Sequence, residues 1–405
     1  MKILVVSQYF WPEEFRINDL AIELKKRGHE VCVLSGNPNY PTGKFNQGYG
    51  FKFSVENYHG VKIFRVPIIA RGKASGFRLS LNYLSFALTA SCFALFHKEK
   101  YDIIFAVNYS PITAVFPAII YKKRFNIPLF LWVQDLWPES VYAAGKIKFT
   151  FIFPFLNNMV QYIYKNSNRI LVQSEAFIPH LKEKGVSNKK IRYLPNWAED
   201  IYCNCDIPKS KYQNILPEGF IVMFAGNIGE GQDFDSIIKA IEITRQFPEI
   251  KWVIIGDGRK KSWVKSEIVR LDLQNNVFLL GRYSVEEMPS FFIHADIMLV
   301  SLKDEDIFAM TIPGKVQSFL AFGKPIAAML NGIGAAVIRK ANCGYVANSG
   351  DYKMLASNII DAYQQDPRIL IEKGIYGKNY YTQCFSKDVI IDNLIGFFQE
   401  NPELN

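Results

Sequence analysis

Thr311-Ile-Pro-Gly-Lys-Val-Gln-Ser-Phe-Leu-Ala-Phe-Gly-Lys-Pro-Ile326 decides how the rest of this chain is read. Pro313 predicts the first turn of a helix, where its missing N–H is one of those left unpaired anyway, and Gly323-Lys324-Pro325 stops that helix. Lys315 then stands where a cation opposes the helix dipole. Its presence there predicts a phosphate-bearing ligand among the free backbone N–H groups. A solvated surface lysine is the alternative. Beyond Pro325 a short apolar run begins, and such runs alternate with amphipathic segments of helical length from one end of the chain to the other. Runs near 2–7, 30–35, 61–66, 102–107, 128–133 and 169–173, then near 220–225, 251–256, 276–280, 296–301 and 325–329, predict strands. The alternation predicts an α/β protein in which one architecture, a parallel sheet covered by helices on both faces, is built twice.

A length of 405 residues predicts at least two domains. We place them at 1–205 and 206–385, divided in the polar stretch 196–217 with its Pro208 and Pro217, and expect segment 386–405 to pack back on the first domain as a helix. The charge is uneven. Residues 1–205 carry 26 Lys and Arg against 14 Asp and Glu, net +12, whereas residues 206–405 carry 21 against 24, net −3. The first half therefore faces something anionic. No helix-turn-helix, zinc-finger or aromatic RNA-binding pattern accompanies that charge, so a membrane surface is expected and nucleic acid is not. Two apolar segments suit such a surface: residues 79–96 as a buried or half-embedded helix, and residues 146–165, with aromatics between lysines, as an interfacial or interdomain segment. The start of the chain has no signal-peptide pattern, which predicts a cytoplasmic protein. The six cysteines are scattered, and Cys203-Asn-Cys205 lacks a second pair, so reduced thiols and no metal are expected.

In an open parallel sheet the ligand lies beyond the carboxyl ends of the strands. After the first strand come Trp11-Pro12-Glu13-Glu14-Phe15-Arg16, where two carboxylates among aromatics suit a sugar ring, or equally precede a helix. Residues 36–44 form a loop rigid at Pro38 and Pro41 and open at Gly36 and Gly43. Gln134-Asp135-Leu136-Trp137-Pro138-Glu139 follows another strand. Asp135 is either a helix cap or a carboxylate that accepts a proton or stabilises an oxocarbenium-like sugar. In the second half, Gly226-Asn227-Ile228-Gly229-Glu230-Gly231-Gln232 brings backbone close to a pyrophosphate at a helix start, and Gly256 and Arg282 stand in further turns on the same edge. No histidine is assigned to catalysis.

Pro313-Gly-Lys315, Gly323-Lys-Pro-Ile326 and Gly226-Asn-Ile-Gly229, together with Arg16-Ile-Asn-Asp-Leu-Ala21, Asn37-Pro-Asn-Tyr-Pro-Thr-Gly43 and Gln134-Asp-Leu-Trp-Pro-Glu139, resemble family 4 retaining glycosyltransferases. These have the GT-B fold, two Rossmann-like domains facing a cleft. The chain looks most like the bacterial branch of N-acetyl-L-fucosamine transferases of O-antigen and capsule synthesis. The resemblance spans nearly the whole chain. It implies a second domain that holds a UDP-sugar donor; the candidate residues there are Gly226, Asn227, Gly229, Gln232, Gly256, Arg282, Thr311, Pro313, Gly314, Lys315 and Gln317, with no metal and no further cofactor expected. It implies a first domain that binds the acceptor, which we expect to be a sugar on a polyprenyl diphosphate at the cytoplasmic face of the bacterial membrane, and Asp135, Glu139, Glu13 and Glu14 are the catalytic candidates there. The chain departs from the family where Met310 and Ser318 replace two carboxylates, Ser318 at the place of the ribose-holding one, and where Asn227 and Gln232 replace an arginine and a lysine. A sugar epimerase of the same fold and a non-catalytic glycan binder are the alternatives.

Overall fold

A computed structural model describes residues 1–73, 75–140, 153–203 and 211–400. The chain forms two compact units, Met1–Pro195 with Ile391–Asn405, and Asn196–Ile390. The division falls ahead of the predicted 205/206 because Ala198 and Tyr202 pack in the core of the second unit, where Tyr202 stacks on Phe292 at 5.5 Å.

The first unit holds an eight-stranded sheet. Its strands are β1 (Lys2–Val6), β2 (Glu30–Gly36), β3 (Ser54–Tyr58), β4 (Val61–Val66), β5 (Ile103–Asn108), β6 (Leu129–Val133), β7 (Arg169–Val172) and β8 (Ile191–Tyr193), in the order β3-β4-β2-β1-β5-β6-β7-β8. All neighbours are parallel except the β3–β4 hairpin. The central strands β1, β5 and β6 are buried on both faces, which is why they read as unbroken apolar runs. The order reverses at β1 and β5, and the loops beyond their carboxyl ends, from Ser7 and from Asn108, open at that switch point.

Residues 391–400 complete this unit. Within the helix Lys387–Gln399, Phe398 sets its ring edge-on against Phe105 at 5.9 Å and Phe130 at 5.0 Å, and Glu400 pairs with Arg169 at 3.1 Å and Arg192 at 2.7 Å.

The helix Gly76–Phe96 covers the predicted segment 79–96. It seats Leu79, Asn82, Phe86, Ala90 and Ala94 in the core at helical spacing. Its opposite side leaves Phe77, Leu84, Leu88 and Leu95 at least half exposed. By length and composition it is the one helix among the described residues apolar enough to cross a membrane. Of the other expected interfacial segment, 153–165 lies in the helix Phe153–Asn166, and 146–152 falls outside the described residues.

The second unit is an all-parallel sheet of six strands, β9 (Phe220–Ala225), β10 (Ile250–Ile255), β11 (Val277–Gly281), β12 (Ile297–Ser301), β13 (Ile326–Met329) and β14 (Gly344–Ala347), in the order β11-β10-β9-β12-β13-β14. Alternate residues enter opposite cores. Met223 and Val253 join Val316, Phe319 and Tyr381 on one face, whereas Phe224 and Trp252 join Ile237, Leu299 and Leu355 on the other. Here the switch point lies between β9 and β12, and Gly226 is the first residue past it.

Candidate active site

The second unit builds its cradle from three glycine turns and the start of one helix. The Gly226 N–H donates to the Ile255 carbonyl at 2.9 Å, and the Gly256 N–H to the Gly281 carbonyl at 2.7 Å, so the loops continue the sheet ladder one residue past the strands. A Cβ on Gly256 would lie 1.8 Å from the Gly226 carbonyl oxygen, and both glycines hold positive φ, +136° and +150°. Only glycine permits that approach. A Cβ on Gly226 itself would lie 2.6 Å from Cε of Lys315. The turn at Gly226 thus leaves the channel that the lysine occupies.

Lys315 is the second residue of the helix Gly314–Phe322, with Pro313 as the extended residue just before it rather than inside the first turn. The helix stops at Gly323, whose φ of +81° lets its N–H and that of Lys324 return to Phe319 and Leu320. The Lys315 ammonium sits 3.6 Å from the centre of the Phe224 ring. It makes no hydrogen bond or ion pair among the described residues, and burial pushes its pKa down to about 7. A buried cation with no counter-charge, at a helix end that is itself electropositive, is half of an interaction whose other half is an anion.

The neighbouring residues are placed unequally. Asn227 is exposed, with its side chain beside Gly229 and Gly258. Gln232 accepts the Gly229 N–H at 3.2 Å and so closes the loop on itself. Arg282 is exposed at the end of β11, near Asp257. The Thr311 hydroxyl turns back to the Phe308 carbonyl at 3.3 Å. Gln317, expected to face the ligand, is 3% exposed and donates to the Asn196 carbonyl instead. At position 317 the side chain falls on the buried stripe of its helix, beside Val316.

One group escaped the sequence reading. The Ser318 hydroxyl, one turn on from Lys315, lies 3.4 Å from Oε2 of Glu199. A carboxylate thus comes to this helix from 119 positions earlier in the chain, a separation that no local motif announces.

In the first unit Glu13 and Glu14, adjacent in sequence, part company. Glu14 is exposed, whereas Glu13 is 3% exposed and its Oε1 accepts the N–H groups of Asn39 and Tyr40, both at 2.8 Å. Burial outweighs those donors and pushes the Glu13 carboxyl up to about 6. Glu13 therefore ties the loop after β1 to the loop after β2. Around it Tyr9 stacks on Phe15 at 5.0 Å, Phe15 meets Tyr40 at 5.5 Å and Tyr109 at 4.9 Å, and the Arg71 guanidinium lies 5.0 Å from the Tyr40 ring and 5.8 Å from that of Tyr9.

Asp135 is half-buried just past β6, its carbonyl held by Asn108 Nδ2 at 3.0 Å. Glu139 accepts from Lys184 at 2.9 Å and lies 3.1 Å from His180 Nε2. Burial works against it, but these partners hold its carboxyl down at about 2. Such a group is committed to an ion cluster within this unit. Glu30, Cys32 and Glu99 bring ligating atoms together, yet the Lys2 ammonium lies 3.0 Å from Glu30 and 2.7 Å from Glu99 and neutralises them.

Residues 14–197 match the glycosyl transferase 4-like domain, and residues 207–375 match glycosyl transferases group 1. A putative colanic acid biosynthesis glycosyl transferase of Escherichia coli K12, WcaI, is 25% identical over 336 residues, covering 80% of this chain and 82% of the relative. The probable glycosyltransferase WbjE of Pseudomonas aeruginosa is 26% identical over 271 residues, covering 65% and 64%. Among solved structures, Anabaena HepE in complex with UDP and glucose superposes with a TM-score of 0.66 at 17% identity, over 99% of this chain and 100% of that one.

Proposed function

Because the chain belongs to the GT-B glycosyltransferases of the family 4 type, we propose that it moves an acetamido sugar such as N-acetyl-L-fucosamine from UDP to a sugar carried on a polyprenyl diphosphate. It does so with retention, at the cytoplasmic face of a bacterial membrane, in O-antigen or capsule synthesis. The observation that carries this reading is the enclosed, unpartnered ammonium of Lys315 against the Gly226 turn. The ligands in the Anabaena HepE complex, UDP and glucose, are of the matching chemistry, and the putative colanic acid role of WcaI supports polysaccharide assembly.

In this reading the donor diphosphate lies between Lys315 and the first N–H groups of the helix Gly314–Phe322, and Arg282 reaches it from the exposed end of β11. Ser318 and Glu199 receive the ribose hydroxyls, a task for which a carboxylate beside a phosphate-binding helix is suited. As the bond from the anomeric carbon to the diphosphate breaks, charge grows on the leaving oxygens, where Lys315 and the helix start already point. The acceptor hydroxyl forms the new bond on the same face and passes its proton to the leaving diphosphate. In the first unit Glu13 shapes the acceptor loop by holding Asn39 and Tyr40. Lys315 supplies the positive charge for the diphosphate, and no metal is required of the donor site.

The test is UDP release from a panel of UDP-sugars with a polyprenyl-linked sugar acceptor. Acceptor-dependent release is expected, and silence across UDP, GDP and dTDP donors overturns the assignment.

A further inference from the structure

The apolar side of the helix Gly76–Phe96 is bounded by a slot. Phe53, Val66, Pro67, Leu88, Cys92 and Phe96 line a groove of about 430 Å³ with almost no polar wall. A volume in that range suits a small ligand or a chain rather than a flat surface. Leu88 is 67% exposed and Phe96 78%, so the groove is open along its length.

The slot leads somewhere. From Pro67 the chain runs back along the helix toward its first turn. The Ile69 N–H donates to Ser85 Oγ at 2.9 Å, the Ile69 carbonyl accepts from Asn82 Nδ2 at 2.6 Å, and Gly72 reaches Arg78, whose Nε would lie 3.2 Å from a Cβ there. The seam thus connects Cys92 to Arg78, fourteen residues apart, or about 21 Å at the helical rise of ~1.5 Å per residue.

At its far end the seam turns cationic. Arg71, Lys73 and Arg78 cluster there, and none of their side chains has a hydrogen bond or ion pair among the described residues. The Arg71 Nε is buried without a partner, and its guanidinium is braced on Tyr9 and Tyr40. An apolar slot that runs into unpaired guanidinium groups is complementary to a linear amphiphile with an anionic head.

We propose that this seam holds the prenyl diphosphate of the acceptor, the chain in the slot between Phe53 and Phe96 and the diphosphate at Arg71 and Arg78. The inference rests on the lipid-linked acceptor of the proposed function and adds where that lipid lies. A bilayer would cover Leu84 and Leu95, which lie outside the lining, whereas the groove that Leu88 and Phe96 share with Phe53, Val66 and Pro67 leads on to the guanidinium groups, so a single chain with an anionic head is the occupant. The slot also places the sugar of such an acceptor next to the aromatic cluster of Tyr9, Phe15, Tyr40 and Tyr109.

Cys92 is exposed and lines the slot, whereas among the described residues Cys203 and Cys384 are half-buried and Cys32 and Cys343 buried, so labelling of the Cys92 peptide, resolved by mass spectrometry, reports occupancy. With the full chain saturated with UDP, farnesyl diphosphate should slow maleimide labelling of Cys92 at least tenfold, while inorganic diphosphate and phosphatidylglycerol vesicles should not. Titration calorimetry should show farnesyl diphosphate binding weakened at least tenfold by Cys92→Glu and by Arg78→Ala, both at exposed positions, with inorganic diphosphate unaffected by Cys92→Glu. Unprotected Cys92, unchanged affinity in both variants, or protection by vesicles equal to that by farnesyl diphosphate would overturn the proposal. Acceptor-dependent UDP release with an unprotected Cys92 would leave the proposed function standing and remove this inference. Protection without turnover of any donor would do the reverse.

Discussion

Raising the pH from 7 to 9 should weaken UDP binding about fiftyfold, because the group that meets the diphosphate loses its proton across that window. Burial without a counter-charge holds Lys315 at about 7 in the free protein. A bound diphosphate supplies the missing charge and returns the ammonium toward the ordinary lysine value of about 10.4. Observed affinity then follows the protonated fraction of the free protein, about one half at pH 7 and about one hundredth at pH 9. Binding must take up about half a proton at pH 7 and about one at pH 8.5. Calorimetry in buffers of different ionisation enthalpy measures that number directly. Stability of the ligand-free protein should run the other way. The unfolded lysine keeps its proton up to about 10.4 while the native one gives it up near 7, so the Lys315 contribution rises with pH between those values. Lys315→Met should bind UDP weakly, with no slope across this range. A wild-type affinity that stays flat from pH 7 to 9, with no buffer dependence, would refute the anion-site argument.

Three further outcomes are expected. Gly226→Ala drives a methyl group to 2.6 Å from Lys315 Cε at a φ of +136°; it should lower stability by about 1–3 kcal/mol in urea unfolding and reduce UDP affinity in step. Glu199→Gln and Ser318→Ala should each collapse discrimination between UDP and 2′-deoxy-UDP, about tenfold in the wild type for a charge-assisted hydrogen bond, while leaving inorganic diphosphate binding unchanged. Glu139→Ala should cost about 1–2 kcal/mol by chemical denaturation, since it leaves the enclosed ammonium of Lys184 without its counter-charge and with Asn157 as its remaining partner. The depressed carboxyl of Glu139 means that its share of stability is complete above the ordinary carboxylate range and is lost as the pH falls toward about 2.

The parallel core was legible because its strands are buried on both faces and therefore apolar throughout, as in Ile3–Val6 and Ile103–Val107. Strand β3, Ser-Val-Glu-Asn-Tyr, escaped because as an outer hairpin strand it buries little. Strands β8 and β14 lie at the edges of their sheets and each buries a single residue, so neither shows an apolar run. At the site, Lys315 stood out because it broke a local rule about helix ends. Gln317, two positions on, obeyed every local rule and still points into the core, since helical phase rather than residue type decides which way it faces. Glu13 and Glu14 are indistinguishable as letters, yet one holds two backbone N–H groups of a loop 26 residues away and the other meets solvent. Glu199 and the partners of Glu139 come from distant segments, and such pairings exist only once the chain is folded.

The return of residues 391–400 to the first unit fixes an order of events at the ribosome. Phe105 and Phe130 receive the ring of Phe398, and Arg169 and Arg192 receive the carboxylate of Glu400, only after the whole second unit has been translated. The half made first is therefore the half completed last. It waits with an uncovered aromatic patch through the synthesis of nearly two hundred residues, and no single cut in the chain can release it intact.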